Sequence, residues 1–342
     1  MAYRYIGNKA KIVGFLLDEI RATVPIGGTV ADLMCGTATV SEALKCVGYR
    51  VVASDLMTYS YCHAWTRLKL DSPPPFKRVP GKSYLAALDH LNNLPPRRGY
   101  FSEECAPGGK TANGLASRQY LSDPNAAKLD AIAHQIRVWK NDDNLSPDEF
   151  NLLRHDLVLA VNRVANIAGT YGHFRSSWSN GALRPIVLRD TTFRPGFRTD
   201  HTVLQGPAEF VAPTVECDLC YLDPPYMKRQ YAANYHLIET VARLDEPEAV
   251  GVSGLRPWRD QYSDFCSKIK LWDAFRAILN GVQTNRFLIS YSEDGLIPKD
   301  KFLAFFSEFG RVDFKSFSNS RFRSNNSPLG PHVKEYLFLV QK

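Results

Sequence analysis

Apolar residues recur at helical spacing through Ile12, Val13, Leu16, Leu17 and Ile20, which predicts a helix over 9–24 that stops at Pro25. Gly27-Gly28 reads as a turn, and 29–34 as a buried strand. A tight loop, Cys35-Gly36-Thr37-Ala38-Thr39, leads into an amphipathic helix through Val40, Ala43, Leu44 and Val47, with Gly48 as its stop. Residues 49–54 read as a second strand that ends at Asp55-Leu56. Helix, strand, tight loop, helix, strand and acid resemble the opening of a nucleotide-binding α/β sheet.

Regularity weakens after Leu70. Asp71-Ser72-Pro73-Pro74-Pro75, Pro95-Pro96-Arg97-Arg98-Gly99 and Pro107-Gly108-Gly109 make the stretch to about residue 114 read as loop-rich insertion. Helices are predicted over 124–140 and 147–168. The second opens on Ser146-Pro147-Asp148-Glu149, a capping-box spacing with proline at the first helical position. The sheet pattern then resumes: strand 217–222, helix 237–244, helix 265–279, strand 286–291 and helix 299–309. A hairpin-like pair over 312–317 and 334–340 finishes the chain, joined by a polar loop with Arg321, Arg323, Asn325 and Asn326. The expected fold class is α/β, a Rossmann-like sheet with helices on both faces and a C-terminal antiparallel hairpin. Residues 1–70 and 200–342 are expected to form the sheet domain, and 71–199 a helical, loop-rich insertion.

Composition narrows the class. A chain of 342 residues with 44% hydrophobic content suits one large domain or two smaller ones. The formal charge of +7 and pI near 8.9 suit a polyanionic partner, and equally an ordinary basic enzyme. No N-terminal charged-then-apolar segment and no run of bilayer length occurs, so a cytoplasmic protein without membrane contact is expected. Seven scattered cysteines favour reduced thiols. Cys217 and Cys220 form a C-x-x-C, but that spacing in a strand points them to opposite faces and no second pair completes it, so no metal site is expected.

Charge clusters in one place. Arg163, Arg175, Arg184, Arg189, Arg194 and Arg198 lie close together, with Asp190 the only acid among them and Tyr171, Phe174, Trp178, Phe193 and Phe197 interleaved. A solvated basic face is one reading; the aromatic and glycine interleaving favours a nucleic-acid surface.

Candidate chemistry centres on Asp223-Pro224-Pro225-Tyr226, which ends an apolar run. The lone pair of an exocyclic amino group is spread into its ring, so the nitrogen becomes nucleophilic only when acceptors take its N–H bonds and draw it toward sp³ geometry. Here the Asp supplies one acceptor, the prolines present a main-chain carbonyl rigidly, and Tyr226 offers a ring face for stacking. The competing reading is an ordinary proline turn with a capping Asp. The loop from Asp32 to Thr39 brings backbone N–H groups to a ligand, and Asp55 ends the second strand where an acid binds ribose hydroxyls. With no phosphate loop and no full G-x-G-x-x-G, a nucleoside without phosphate fits better than a dinucleotide.

Tyr5-Ile6-Gly7-Asn8-Lys9, Asp32-Leu33-Met34-Cys35-Gly36-Thr37, Asp55 and Asp223-Pro224-Pro225-Tyr226, in that order, resemble the Dam-like alpha group of S-adenosylmethionine-dependent DNA adenine methyltransferases. Gly169-Thr170-Tyr171-Gly172, Arg229-Gln230-Tyr231, Asn234-Tyr235-His236 and Ser290-Tyr291-Ser292-Glu293-Asp294-Gly295 resemble a restriction-modification branch of that group. The resemblance implies S-adenosylmethionine as cofactor, held by Tyr5, Gly7, Lys9, Asp32, Cys35, Gly36, Thr37, Asp55 and Asp223, with Lys9 near the cofactor carboxylate. It implies Asp223, Pro224 and Tyr226 as catalytic residues acting on a flipped adenine. Residues 71–199 become a target-recognition region. Tyr171, Arg175, Arg184, Arg189, Arg229, Asn234, Tyr235, Arg321 and Arg323 become DNA contacts, with Asn234 and Tyr235 in a loop closing over the base.

Two departures from the family pattern stand out. Met34 and Ala38 replace an aromatic and a second glycine in the cofactor loop; a methyl at Ala38 is tolerable if φ stays negative, with a cost to cofactor affinity expected. Gln205-Gly206-Pro207-Ala208 stands where relatives often carry an Asp for the cofactor adenine; the Ala208 amide is the substitute on offer. The expected activity is N6-adenine methylation of a specific duplex DNA sequence by direct in-line transfer, by a monomer or weak dimer, with a cognate restriction endonuclease acting separately on the same sequence. Cytosine N4 or an RNA base remains an alternative target, and a DNA-binding protein with a decayed cofactor site an alternative class.

Overall fold

A computed structural model describes residues 5–112, 114–320 and 332–342. The loop carrying Arg321, Arg323, Asn325 and Asn326 lies outside the described residues. The chain folds into two compact units, one built from residues 6–71, 194–231 and 261–342, the other from 1–5, 72–193 and 232–260.

The first unit is a seven-stranded sheet in the order β3-β2-β1-β4-β5-β7-β6. Its strands are β1 (Thr29–Asp32), β2 (Arg50–Asp55), β3 (Thr202–Gln205), β4 (Leu219–Leu222), β5 (Arg286–Ser292), β6 (Arg311–Ser320) and β7 (His332–Gln341). β1 to β5 run parallel, while β7 runs antiparallel to both β5 and β6. The helices of this unit are α1 (Val13–Thr23), α2 (Thr39–Val47), α3 (Thr58–Lys69), α8 (Ala208–Val211), α11 (Leu271–Gly281) and α12 (Lys299–Ser307).

Alternation along the strands sends successive side chains to opposite faces and so builds two cores. Leu219, Tyr221, Leu288 and Leu337 pack against Leu16 and Ile20 of α1 and Leu44 of α2. Cys220, Leu222, Phe287, Ile289, Phe338 and Val340 pack against Phe275 and Ile278 of α11 and Phe302 and Phe306 of α12.

Several elements depart from the sequence expectation. Residues 9–11 form a 3-10 turn, and the helix proper starts at Val13. α3 follows β2 directly; it shows no apolar stripe because Ser60, His63 and Thr66 are themselves buried. β3 is a short edge strand paired only with β2. The helix expected over 265–279 is divided: Asp264–Cys266 is a 3-10 turn, and α11 begins after the exposed Lys268, Ile269 and Lys270.

The chain leaves this unit at Asp71 and returns at Arg194, and the two ends are pinned together. Nζ of the fully buried Lys45 lies 2.7 Å from Oδ1 of Asp71 and donates to the Arg67 and Leu70 carbonyls at the end of α3. Asp71 Oδ1 also accepts the Gly196 amide at 3.3 Å. A Cβ on Gly196 would stand 2.7 Å from Cγ of Lys45, so only glycine fits against that stem.

The second unit is helical: α4 (Tyr84–Asn93), α5 (Tyr100–Glu104), α6 (Asp123–Asn141), α7 (Pro147–Val164) and α10 (His236–Arg243). α4 and α5 fall in the stretch expected to be loop, and α7 ends four residues earlier than its expected limit at 168. The expected capping box is present: Ser146 Oγ accepts the Glu149 amide and Glu149 accepts the Ser146 amide. Asp130 of α6 accepts the amides of Phe101 and Ser102, each at 2.8 Å, and so caps α5. Buried Arg118 donates to Glu104 and to the carbonyls of Gly251 and Val252, fastening 232–260 to the rest of the unit.

Candidate active site

The carboxyl ends of the parallel strands carry Asp32, Asp55 and Asp223, the edge where open α/β sheets bind ligands. The register that pairs Asp32 with Tyr221 and Asp32 with Ala53 sets the first and third acids on neighbouring strands, and the second one strand across.

The corner between β1 and α2 is closed by backbone hydrogen bonds. The Gly36 amide donates to Asp55 Oδ2 at 2.8 Å, and the Met57 amide to Asp55 Oδ1 at 2.9 Å. The Cys35 amide donates to the Ser54 carbonyl. Thr37 is buried, its hydroxyl 2.9 Å from that of Thr39. Gly36 takes φ 52°, and Ala38 takes φ 56°. The condition for a tolerable methyl at Ala38, a negative φ, is not met: this residue sits in the left-handed region where the family pattern has glycine, at a cost of about 1–2 kcal/mol.

Asp32 is 1% exposed; Ser41 donates to its Oδ2 at 2.6 Å, and its Oδ1 is buried without a hydrogen-bond partner. Burial pushes its carboxyl up to about 7, against the Ser41 hydrogen bond. An orphaned buried acceptor beside a glycine-lined loop suits a cationic ligand group such as an amino acid ammonium. Pro207 stands at the N-terminus of α8, and the Gly206 amide donates to the Asp55 carbonyl at 3.0 Å, so this corner lies beside Asp55.

Asp223 is held on one side only. Its Oδ1 accepts from Ser290 Oγ at 2.8 Å and lies 3.1 Å from Lys9 Nζ. Among the described residues no hydrogen bond to Oδ2 is formed. Tyr221 donates to Ser290 at 3.3 Å, extending the network into the core. Lys9 Nζ is also 3.4 Å from Oε2 of Glu335 on β7. Burial opposes the Lys9 charge, but Asp223 and Glu335 outweigh it and hold its pKa above the ordinary range.

Tyr226 packs edge-on against Tyr291, 6.3 Å between centroids, and its carbonyl accepts the Leu296 amide. Gly7 takes φ 77°, and a Cβ there would lie 3.6 Å from the Tyr226 ring. Gln230 and Ser263 exchange hydrogen bonds at 2.9 and 2.8 Å, fixing the segment after the clamp.

The structure therefore brings Gly7, Lys9, Asp32, Cys35, Gly36, Thr37, Asp55, Asp223 and Tyr226 together in the sheet unit. Tyr5 lies in the helical unit, stacked on Tyr235 at 4.9 Å. Of the expected DNA contacts, Arg175, Arg184, Arg189 and Arg229 are exposed. Tyr171, Asn234 and Tyr235 are buried instead. Asn234 ends the short helix α9 (Tyr231–Asn234) rather than lying in a loop; its carbonyl accepts the Tyr171 amide, and Tyr171 Oη donates to Asn162. Glu335 was absent from the sequence expectation. Its signal was an acid in phase with Val333, Leu337 and Leu339 on β7.

The parallel strands of this mixed sheet thus end in Asp32 after β1, Asp55 after β2 and Asp223-Pro224-Pro225-Tyr226 after β4, an arrangement of the α/β class with its acids gathered at one edge. Comparison with known proteins makes this specific: the chain belongs to the D12 class N6 adenine-specific DNA methyltransferase family, which it matches over residues 5–304. It is 31% identical to the Type II methyltransferase M.NlaIII of Neisseria lactamica over 99% of each chain. It is 31% identical to the modification methylase StsI of Streptococcus sanguinis and 28% identical to the Type II methyltransferase M.FokI of Planomicrobium okeanokoites, over 99% of this chain. It spans about half the length of those two relatives, 52% in each case. Among solved structures, a precorrin-6y C5,15-methyltransferase from Geobacter metallireducens aligns over 100% of this chain and 93% of its own, at 8% identity and a TM-score of 0.35, too distant to argue from.

Proposed function

We propose that this chain methylates adenine N6 within a specific duplex DNA sequence, acting on a flipped base, with the residue roles that follow. When bound, S-adenosylmethionine supplies an electrophilic methyl group. Asp32, Gly36, Thr37 and Asp55 hold the cofactor, the orphaned Oδ1 of Asp32 receiving its ammonium and Asp55 its ribose. Asp223 Oδ2 and the Pro224 carbonyl accept the two N6 hydrogens, and Tyr226 stacks on the ring. Asp223 then takes the proton that the methylated amine releases. The observation that carries this reading is the one-sided hold on Asp223, Oδ1 engaged by Lys9 and Ser290 and Oδ2 left for a substrate.

The helical unit is the target-recognition part in this reading. Exposed Arg175, Arg184 and Arg189 contact phosphates and base edges, while Tyr171, Asn234 and Tyr235 are buried and make no such contact. The protein acts in the cytoplasm as a monomer or weak dimer, and a restriction endonuclease cutting the same sequence is its natural counterpart. No helix among the described residues is long and apolar enough to cross a membrane.

The test is incubation with methyl-labelled S-adenosylmethionine and unmodified genomic DNA, followed by nucleoside analysis and mapping of modified bases. N6-methyladenine at one recurring sequence is expected; N4-methylcytosine would replace the target. Asp223→Ala should abolish transfer while DNA binding persists, and full activity in that variant would overturn the mechanism.

A further inference from the structure

Glu335 has no place in the roles assigned so far, and it lies beyond the residues matched to the family, which end at 304. It is 6% exposed, on a face of β7 shared with Leu337 and Leu339, where an unpaired acid would be costly. Because β7 runs antiparallel to β5, its first residues meet the carboxyl edge of the parallel strands. Glu335 pairs in register with Ser292, two residues beyond the Ser290 that binds Asp223. There its Oε2 lies 3.4 Å from Lys9 Nζ, whose other carboxylate partner is Asp223 Oδ1 at 3.1 Å. Lys9 is 5% exposed, so one ammonium is divided between two carboxylates with little water to share the work.

We propose that Glu335 is a positioning residue for the transfer: by sharing the Lys9 ammonium it keeps that cation on Oδ1 of Asp223 and leaves Oδ2 a full-strength acceptor for the adenine amine. This inference rests on the function proposed above. Without the Glu335 charge, Lys9 would answer to Asp223 alone. Its flexible four-carbon stem would let the ammonium slide across both carboxylate oxygens, and an undivided positive charge would weaken Asp223 as hydrogen-bond and proton acceptor. With Glu335 present, the ammonium is tethered toward β7. Burial raises the Glu335 carboxyl, opposed by Lys9, and Lys9 is held charged by both acids. Of the other titratable side chains that interact with this group of charges, Tyr221 and Tyr226 are raised chiefly by burial and stay neutral, and Asp32, raised chiefly by burial, is pushed further up by Asp223.

The experiment compares the full-length wild type with Glu335→Gln, Glu335→Asp and Glu335→Ala, measuring kcat and KM for DNA, cofactor Kd by calorimetry, and thermal midpoint. Glu335→Gln keeps the shape and one acceptor but removes the charge. It should lower kcat by about tenfold or more with KM and cofactor Kd within about twofold, the pattern of an interaction used in the transition state. Its midpoint should hold or rise, since a buried charge has been removed. Glu335→Asp should recover most of kcat. Wild-type kcat in the Gln variant overturns the proposal, as does a kcat loss that follows the midpoint with Asp no better than Ala. A change confined to cofactor Kd also overturns it, assigning Lys9 to the cofactor carboxylate instead. If the wild type transfers no methyl group to DNA, the proposed function itself fails; if it is active and only the Glu335 comparison is flat, this inference alone does.

Discussion

The amide of Gly36 donates to Oδ2 of Asp55 across 2.8 Å, so the loop after β1 and the acid ending β2 are joined. The Met57 amide takes the other oxygen. Both partners are N–H donors, and an asparagine offers only one oxygen. Asp55→Asn should set an amide NH₂ against a backbone N–H in a buried corner, at roughly 1–3 kcal/mol. Cofactor affinity measured by calorimetry should fall about tenfold or more, while DNA binding by gel shift persists. Wild-type cofactor affinity in Asp55→Asn would show that this joint does not shape the site.

Ala38 pays a conformational penalty that glycine would not. At φ 56°, Ala38→Gly relieves about 1–2 kcal/mol of strain and gives up one buried methyl, worth about 0.8 kcal/mol. The net expectation is a gain of up to about 1 kcal/mol in urea unfolding, and Ala38→Val should lose more than that because β-branching tolerates this region worst. A destabilised Ala38→Gly would mean that the methyl contact outweighs the strain.

Two buried acids make stability depend on pH. Burial pushes Asp32 up to about 7; it also pushes Asp156 up to about 7, against hydrogen bonds from Thr191 and Tyr84 of 2.6 Å each. Each folded carboxyl holds its proton more tightly than the unfolded one. The stabilisation is complete below pH 4, is lost as pH rises toward 7, and changes little above. Each group contributes a slope of at most about 1.4 kcal/mol per pH unit. Asp32→Asn and Asp156→Asn should each flatten the decline between pH 4 and 7 in the ligand-free protein. Curves parallel to wild type across that window would contradict the assignment.

At the seam of the sheet unit, Gly196→Ala would push a methyl group to within 2.7 Å of Lys45 Cγ and 3.0 Å of its Cε. Lys45 is fully buried and bound to three acceptors, so it has nowhere to move. A loss of about 1–3 kcal/mol is expected by chemical denaturation. An unchanged midpoint would show that the returning strand can shift at no cost.

Local signals carried the sequence reading where chemistry and structure coincide in a short window. Ser146-Pro147-Asp148-Glu149 announced α7 because the capping box is complete within four residues. The strand ends at Asp32, at Asp55 and just before Asp223, and the turn at Gly36, were legible for the same reason. What escaped depended on distant partners. α3 hides because its buried face is polar, and α4 because prolines flank it on both sides. Tyr171, Asn234 and Tyr235 were expected as DNA contacts, but each is buried: Tyr171 bonds Asn162 and the Asn234 carbonyl, and Tyr235 stacks on Tyr5. The left-handed turn at Ala38 is a backbone choice that alanine does not advertise. Glu335 meets Lys9 across 326 positions of chain, and only the antiparallel return of β7 brings them together.

The pinned ends at Asp71 and Gly196 have a practical consequence. A chain that departs and comes back within one hydrogen bond imposes no length on what lies between, so the catalytic sheet is indifferent to the size of the excursion. Residues 72–193, together with their companion segment 232–260, belong to a compact unit of their own. A laboratory chimera between two relatives is best spliced at this same seam, where a change in the length of 72–193 leaves the join between Asp71 and Gly196 intact.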